Sequence, residues 1–330
     1  MLPKKILTKA VVITLIFLMF LSGCSSPIPP KNRQVLSGFS VHFIDVGQGD
    51  CIYVHLPDGK NVLIDCGYKN DENFDTVTEF LFTYGVTKID YFILTHPDLD
   101  HVGNAESLID AYNIGTLYHP HIVESSIDLF PAYKSAFNKA KDKAEKLNVS
   151  DCYDLIKGDD YFIAFLTPLP KAFSDGVYTE FNQSTAPGDT LINNLSPIIY
   201  LEYKGVSFLF TGDAGVKQEK LAIETVNATW YKNHLLSFGV SFDINNVDYL
   251  KVAHHGANDC TGKEFLQTVN PKTAILSVGG DNPYGHPSSE LLARIIENNA
   301  DCKIMRTDVY GTISIGVEDN GVVKTVTDAK

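Results

Sequence analysis

The apolar pattern begins as short runs, Val41–Val46, Cys51–Leu56 and Asn61–Asp65, separated by glycine-containing turns. That spacing predicts a β-meander. The period then changes. Phe74, Val77, Phe80 and Leu81 recur every three or four residues after Asn70 and Asp71, predicting an amphipathic helix with a capped first turn. Tyr91–Thr95 predicts the next buried strand, Ala105–Asn113 a helix, and residues 125–147 a charged amphipathic helix with Tyr133, Phe137, Ala140, Ala144 and Leu147 on its apolar face. Tyr161–Thr167 is strand-like, and the Ser, Gly, Thr and Asn content of residues 174–194 predicts a long loop. Ser196–Tyr203 and Val206–Thr211 predict a hairpin around Lys204-Gly205. Strands at Tyr249–Ala253 and Thr273–Val278 then alternate with helices at Gly215–Val226, Gly262–Val269 and Ser288–Asn298, and a strand-like tail turns at Asp319-Asn320-Gly321. Both halves mix strands and helices without an internal repeat. The simplest arrangement is one large domain of two packed sheets with helices outside.

The N-terminus departs from this pattern. Lys4, Lys5 and Lys9 precede an apolar run from Ala10 to Leu21, broken only by Thr14 and ending in Leu21-Ser22-Gly23-Cys24. About 12 apolar residues are too few to span roughly 30 Å of hydrocarbon, and the basic start and small residues at the end match a cleaved export signal. The Leu-Ser-Gly-Cys ending resembles the lipobox of bacterial lipoproteins, which implies residues 1–23 as signal peptide and Cys24 as the lipidated anchor. Residues 24–37 contain three prolines and read as an extended tether, so the folded domain is expected over residues 38–330, outside the cytoplasmic membrane.

Composition changes the picture in two respects. The 330 residues are 44% hydrophobic and 20% charged, as in a globular protein, and the formal charge of −13 becomes −16 once the three signal lysines are removed. An acidic surface opposes non-specific nucleic-acid binding, which relies on lysine and arginine. The five cysteines beyond Cys24 lack a Cys-x-x-Cys pair and imply no disulfide framework, and Cys51 and Cys66 read as small core residues.

Candidate chemistry sits at strand ends. Tyr91–Thr95 runs into His96-Pro97-Asp98-Leu99-Asp100-His101, which places four metal-capable side chains within six residues. Phe208–Thr211 leads to Asp213, and Tyr249–Ala253 to His254-His255. Buried imidazoles and carboxylates are costly unless paired or coordinated, so three apolar strands ending this way point to a shared metal site.

These segments resemble the metallo-β-lactamase superfamily, which implies an α/β fold, the four-layer αββα sandwich, with one or two divalent metal ions at the strand ends. By position, the resemblance makes His96 a ligand of the first metal, Asp100 and His101 ligands of the second, Asp213 the bridge, and His254 or His255 the last ligand. Asp65 matches the supporting aspartate. Asp98 stands where the pattern has histidine, and Asn194 stands about 19 residues before Asp213 where a later histidine is usual. The oxygen-rich first site favours harder ions such as Mn²⁺, while the remaining imidazoles suit Zn²⁺. The chain is most similar to the hydrolase domain of ComEC-type competence proteins, through Phe43–Asp50, the His96–His101 run, Asn193-Asn194-Leu195-Ser196, His254-His255-Gly256, Tyr284-Gly285-His286-Pro287 and Arg306-Thr307-Asp308. No channel-forming segments accompany them in this sequence, which reads as a free-standing exported relative.

The resemblance implies a hydrolase using water activated by metal, with Asp98 or Asp100 orienting the water or taking its proton. His286 is a candidate for phosphate binding or leaving-group protonation, or a structural residue. Gln48 and Asp50 either approach the metals or form a plain tight turn, and Asn194 either ligates or binds substrate. The expected substrate is a phosphodiester, with DNA and cell-wall phosphoesters as candidates. A lactone, a β-lactam, or a non-catalytic surface binding lipoprotein are the alternatives.

Overall fold

The computed structural model describes residues 34–170 and 188–328, so the export segment, Cys24 and most of the 174–194 loop lie outside the described residues. Strands β1 (Phe39–Phe43), β2 (Ile52–His55), β3 (Asn61–Ile64), β4 (Lys88–Ile93), β5 (Asn113–His119) and β6 (Ala144–Val149) belong to one sheet. A second, seven-stranded sheet holds β7 (Leu155–Lys157), β8 (Tyr161–Phe165), β9 (Ile199–Tyr203), β10 (Val206–Phe210), β11 (Tyr249–Lys251), β12 (Thr273–Leu276) and β13 (Lys303–Arg306). The final hairpin, β14 (Ile313–Val317) and β15 (Val323–Thr327), returns to the first sheet, giving the order β15-β14-β1-β2-β3-β4-β5-β6.

Side-chain alternation explains the layers. In β1, Phe39, Val41 and Phe43 face the second sheet, where Phe208 and Phe210 of β10 meet them. His42 points the other way and stacks on Tyr53. Each of these large side chains contributes roughly 1.5–3 kcal/mol when fully buried. Tyr53, Leu63 and Phe92 on the outer face of the first sheet pack on helix Asp71–Thr83 through Val77, Phe80 and Leu81, and on helix Pro131–Lys143 through Tyr133 and Ala140. The second sheet is covered by helices Val216–Asn227, Thr229–Ser237, Lys263–Val269 and Ser289–Asn298, whose Ala222, Leu235, Phe265 and Leu291 meet Leu209 and Leu250. The order is therefore helix, sheet, sheet, helix. The expected αββα sandwich is the observed fold.

The local signals act as read. Asn70 caps its helix by accepting from the Asn73 backbone N–H at 2.7 Å. The hairpin joining β9 to β10 turns at Lys204 and Gly205, both with positive φ (51° and 76°), the geometry that matches strand twist in a two-residue turn. The five described cysteines are buried and free of disulfides. Among the described residues, no helix is long and apolar enough to cross a membrane.

Three expectations are corrected. The helix over 125–147 ends at Lys143, because Ala144–Val149 pairs in parallel with β5 as an edge strand. The helix from Ala105 stops at Ala111, and Asn113 already opens β5. Within the 174–194 loop, Asp189–Asn193 forms a short helix.

Parallel pairing of β3, β4 and β5, and of β10, β11 and β12, points the C-terminal ends of each set the same way. Ligand sites in α/β sheets gather at such ends.

Candidate metal centre

The turn after β4 carries His96, Asp98, Asp100 and His101. Asp65, following β3, anchors that turn by accepting from the Thr95 backbone N–H at 2.9 Å and the Thr95 hydroxyl at 2.7 Å. Its Oδ2 also lies 2.7 Å from His101 Nδ1. A carboxylate only accepts, so Nδ1 carries the proton and Nε2 faces the centre. Gly49, at φ 138°, lies against the Asp100 carbonyl, where any Cβ would collide.

After β11, His254 and His255 both adopt left-handed backbone angles, with φ of 49° and 53°. Each such non-glycine residue costs on the order of 1–2 kcal/mol, a strain retained here where the rings reach the site. His255 Nδ1 donates to the Ser277 carbonyl at 2.8 Å, which again leaves Nε2 facing inward.

Two overlapping sets of ligand atoms then meet, Asp100, His101 and His255 in one and His96, His101 and Asp213 in the other. His101 Nε2 and His255 Nε2 lie 3.3 Å apart, Asp213 Oδ2 is 3.2 Å from the first and 3.4 Å from the second, and Asp100 Oδ2 is 3.2 Å from His255 Nε2. Two imidazole nitrogens that face each other beside two carboxylates call for positive charge between them, carried by a proton or by a metal ion. Beside them, His96 holds Thr95 Oγ1 and Ser196 Oγ through Nδ1 at 3.0 and 3.2 Å. Its buried Nε2 has no hydrogen-bond partner and lies 3.5 Å from Asp98 Oδ2 and 3.9 Å from Asp213 Oδ2. Asp213 Oδ1 is also without a hydrogen-bond partner. This donor set and these orphaned atoms fit a divalent metal site.

The electrostatics agree. Burial works against ionising Asp213, but His101 and His255 outweigh it and hold the carboxylate well below its ordinary range. Burial likewise disfavours a charged His255, yet Asp213 and Asp100 raise its pKa to about 10. The pocket attracts positive charge from whatever source supplies it.

The remaining predicted residues occupy different positions. His254 is partly exposed and lies 3.9 Å from Asp213 Oδ2. His286 stands at the rim with its ring 5.4 Å from that of His254, and burial followed by the charges of His254 and His255 lowers its pKa. Gln48 accepts from the Gly279 backbone N–H at 3.2 Å and lines the groove above the centre. Asn194 turns away, accepting from the Gly215 backbone N–H at 3.2 Å, whereas Asn193 lies 3.4 Å from His254 Nδ1. Asp50 lies beneath the ligands, 2.5 Å from Lys251 Nζ. Lys251 was not singled out from the sequence, although a lysine inside an apolar strand is a visible signal.

The family model described as Metallo-beta-lactamase superfamily matches residues 44–280. The chain belongs to the metallo-beta-lactamase superfamily. ComE operon protein 3 of Bacillus subtilis (strain 168) is 28% identical over 327 residues, covering 94% of this chain and 36% of that protein. Competence protein ComA of Neisseria gonorrhoeae is 23% identical over 293 residues, covering 89% of this chain and 34% of its own. The chain thus spans about a third of the length of the curated relatives it matches. Among solved structures, the metallo-beta-lactamase fold protein YhfI from Bacillus subtilis aligns over 87% of this chain and 100% of its own, at 10% identity and a TM-score of 0.47. The resemblance to ComEC-type competence proteins is borne out.

In this superfamily member the His254-His255 turn is buttressed by Glu219. Its carboxylate accepts from the backbone N–H groups of Thr261 and Gly262, the latter at 2.8 Å, while Thr261 Oγ1 accepts from the Ala253 N–H at 3.2 Å. Burial raises the Glu219 pKa from 4.5 to about 7. Across that window the native state keeps a proton that the unfolded chain releases, so this group's contribution to stability falls as pH rises, by up to about 3 kcal/mol. Urea unfolding at pH 5 and pH 8 is expected to show a smaller decline for Glu219→Gln than for the wild type. Equal declines would contradict the buried, protonated state.

Proposed function

We propose that the chain is an exported metal-dependent phosphodiesterase, anchored to the outer face of the bacterial cell membrane by lipidated Cys24. Its parts are a signal peptide (1–23), a tether (24–37) and a hydrolase domain (38–330). The observation that carries the catalytic reading is the convergence of His101 and His255 Nε2 with the Asp100 and Asp213 carboxylates. These four residues would hold one ion, and His96, Asp98, Asp213 and His254 a second, weaker one. A bound divalent ion of the Mn²⁺ or Zn²⁺ type supplies Lewis acidity and makes water a competent nucleophile near neutral pH.

The protein's own groups do the rest. Asp65 and the Ser277 carbonyl hold the imidazoles in one tautomer. Asp98, with its side chain 35% exposed, is the carboxylate placed to accept a proton from water at the open face. His286 is kept neutral by its surroundings and stands over the same face to orient a phosphoryl oxygen or the leaving group.

A phosphodiester is favoured because oxygen-rich centres suit phosphoryl chemistry and because the relatives include a competence protein and a recombination protein, names that point to DNA. A nuclease is the second reading on that last ground. The full chain, stripped of metal, is assayed with bis-p-nitrophenyl phosphate and single-stranded DNA after separate addition of Mn²⁺ or Zn²⁺. Restored cleavage of bis-p-nitrophenyl phosphate is expected. Bound metal without turnover of either substrate would overturn the phosphodiesterase reading in favour of another ester or a binding role.

A further inference from the structure

The groove over the centre has a volume of about 1080 Å³, and among the described residues its acidic lining is Asp45, Glu72, Asp98, Asp100, Asp189 and Asp213, with no lysine or arginine. A polynucleotide carries a negative charge at every phosphate and draws its affinity from basic side chains. Ions held at the centre would compensate Asp98, Asp100, Asp213 and one substrate phosphate. Among the described lining residues no lysine or arginine stands ready for a second phosphate, while Glu72 and Asp189 continue the acidic wall from the first turns of their helices. The same walls present Tyr68 and Tyr284, 47% and 68% exposed, whose ring faces attract cations. An independent feature points the same way. Asn193 is only 5% exposed, lines the groove, and its Oδ1 has no hydrogen-bond partner, an acceptor suited to positive charge and unsuited to phosphate oxygens.

We propose that the substrate is a phosphodiester bearing an ammonium substituent, with its single phosphate at the His/Asp centre and its cation against the acidic, tyrosine-edged walls. This rests on the phosphodiesterase reading and departs from the nuclease one. In the reaction, water oxygen bonds to phosphorus, the P–O bond to one alcohol breaks, and that alcohol leaves with a proton from water, giving a phosphomonoester.

The test compares p-nitrophenyl phosphorylcholine with p-nitrophenyl 3,3-dimethylbutyl phosphate, its uncharged isostere, on the Mn²⁺-loaded full chain, alongside bis-p-nitrophenyl phosphate and single-stranded DNA. The choline diester is expected to have a kcat/KM about ten-fold higher at low salt, a gap that shrinks near about 0.5 M salt as exposed carboxylates are screened. Glu72→Gln and Tyr284→Ala are expected to lower that ratio. Calorimetry should show the same preference for phosphocholine over 3,3-dimethylbutyl phosphate without any turnover. Equal constants for the two diesters, or preferred cleavage of DNA, would overturn the ammonium assignment while leaving a phosphodiesterase standing. Failure to cleave any of these phosphodiesters would overturn both.

Discussion

Replacing Asp213 by alanine is expected to reduce metal-dependent turnover of bis-p-nitrophenyl phosphate by about 10³-fold or more while leaving a folded protein. The magnitude follows from the several kcal/mol that an ion's Lewis acidity contributes, at 1.36 kcal/mol per factor of ten. Asp213 Oδ2 is the atom common to both halves of the site, 3.2 Å from His101 Nε2, 3.4 Å from His255 Nε2 and 3.9 Å from His96 Nε2. Without it, no carboxylate links the two sets of imidazoles. Folding should survive, because Asp65 still holds His101, the Ser277 carbonyl still holds His255, and Lys251 keeps Asp50. Circular dichroism and turnover on the same preparation test this. Comparable metal-restored activity in the folded variant would contradict the proposed chemistry.

The second large effect is on stability. Lys251→Met is expected to cost about 3–5 kcal/mol in urea unfolding, a large share of the 5–15 kcal/mol typical of a domain. Lys251 is fully buried, and its ammonium donates to Asp50 Oδ2 at 2.5 Å and to the Gly212 carbonyl at 2.9 Å. Burial alone would lower its pKa, but Asp50 and Asp213 outweigh burial and keep it charged. Removing the cation strands the Asp50 carboxylate in the interior. The damage reaches the centre, because the Asp50 backbone N–H donates to the Asp100 carbonyl at 3.1 Å and its carbonyl accepts from Gly67 at 2.8 Å. Adding Asp50→Asn to Lys251→Met is expected to recover most of the loss by removing the unpaired charge. A loss below about 1 kcal/mol for Lys251→Met would contradict a fold that depends on this buried ion pair.

The sequence is most legible where one local rule decides the outcome. Apolar runs between glycine-containing turns mark the meander, two apolar runs around Lys204-Gly205 mark the hairpin, and the polar ends of three apolar strands mark the centre. Elements that depend on distant partners were hidden. Ala144–Val149 has the charge density of a solvated helix face, and only its pairing with β5 makes it a strand. The short strands Leu155–Lys157 and Lys303–Arg306 are likewise edges defined by their neighbours.

Within the site, residue types were readable and orientations were not. Two adjacent histidines look equivalent in sequence, and the left-handed turn decides that His255 Nε2, held from behind by Ser277, meets His101 while His254 faces the groove. Asn193 and Asn194 are separated in the same way at the end of the short helix Asp189–Asn193, where the last helical residue lines the groove and the next one turns to Gly215. Lys251 follows a simpler physical rule. A charged residue in an apolar strand implies a buried partner, and that partner, Asp50, lies in a turn 201 positions earlier in the chain.

The most direct test of the metal centre is the ion content of the full chain after dialysis against Mn²⁺ and then metal-free buffer, measured by elemental analysis for the wild type, His255→Gln and His254→Gln. The geometry predicts that the wild type and His254→Gln retain a tightly held ion and that His255→Gln loses it. Equal retention by all three proteins would contradict a centre built on His101, His255, Asp100 and Asp213.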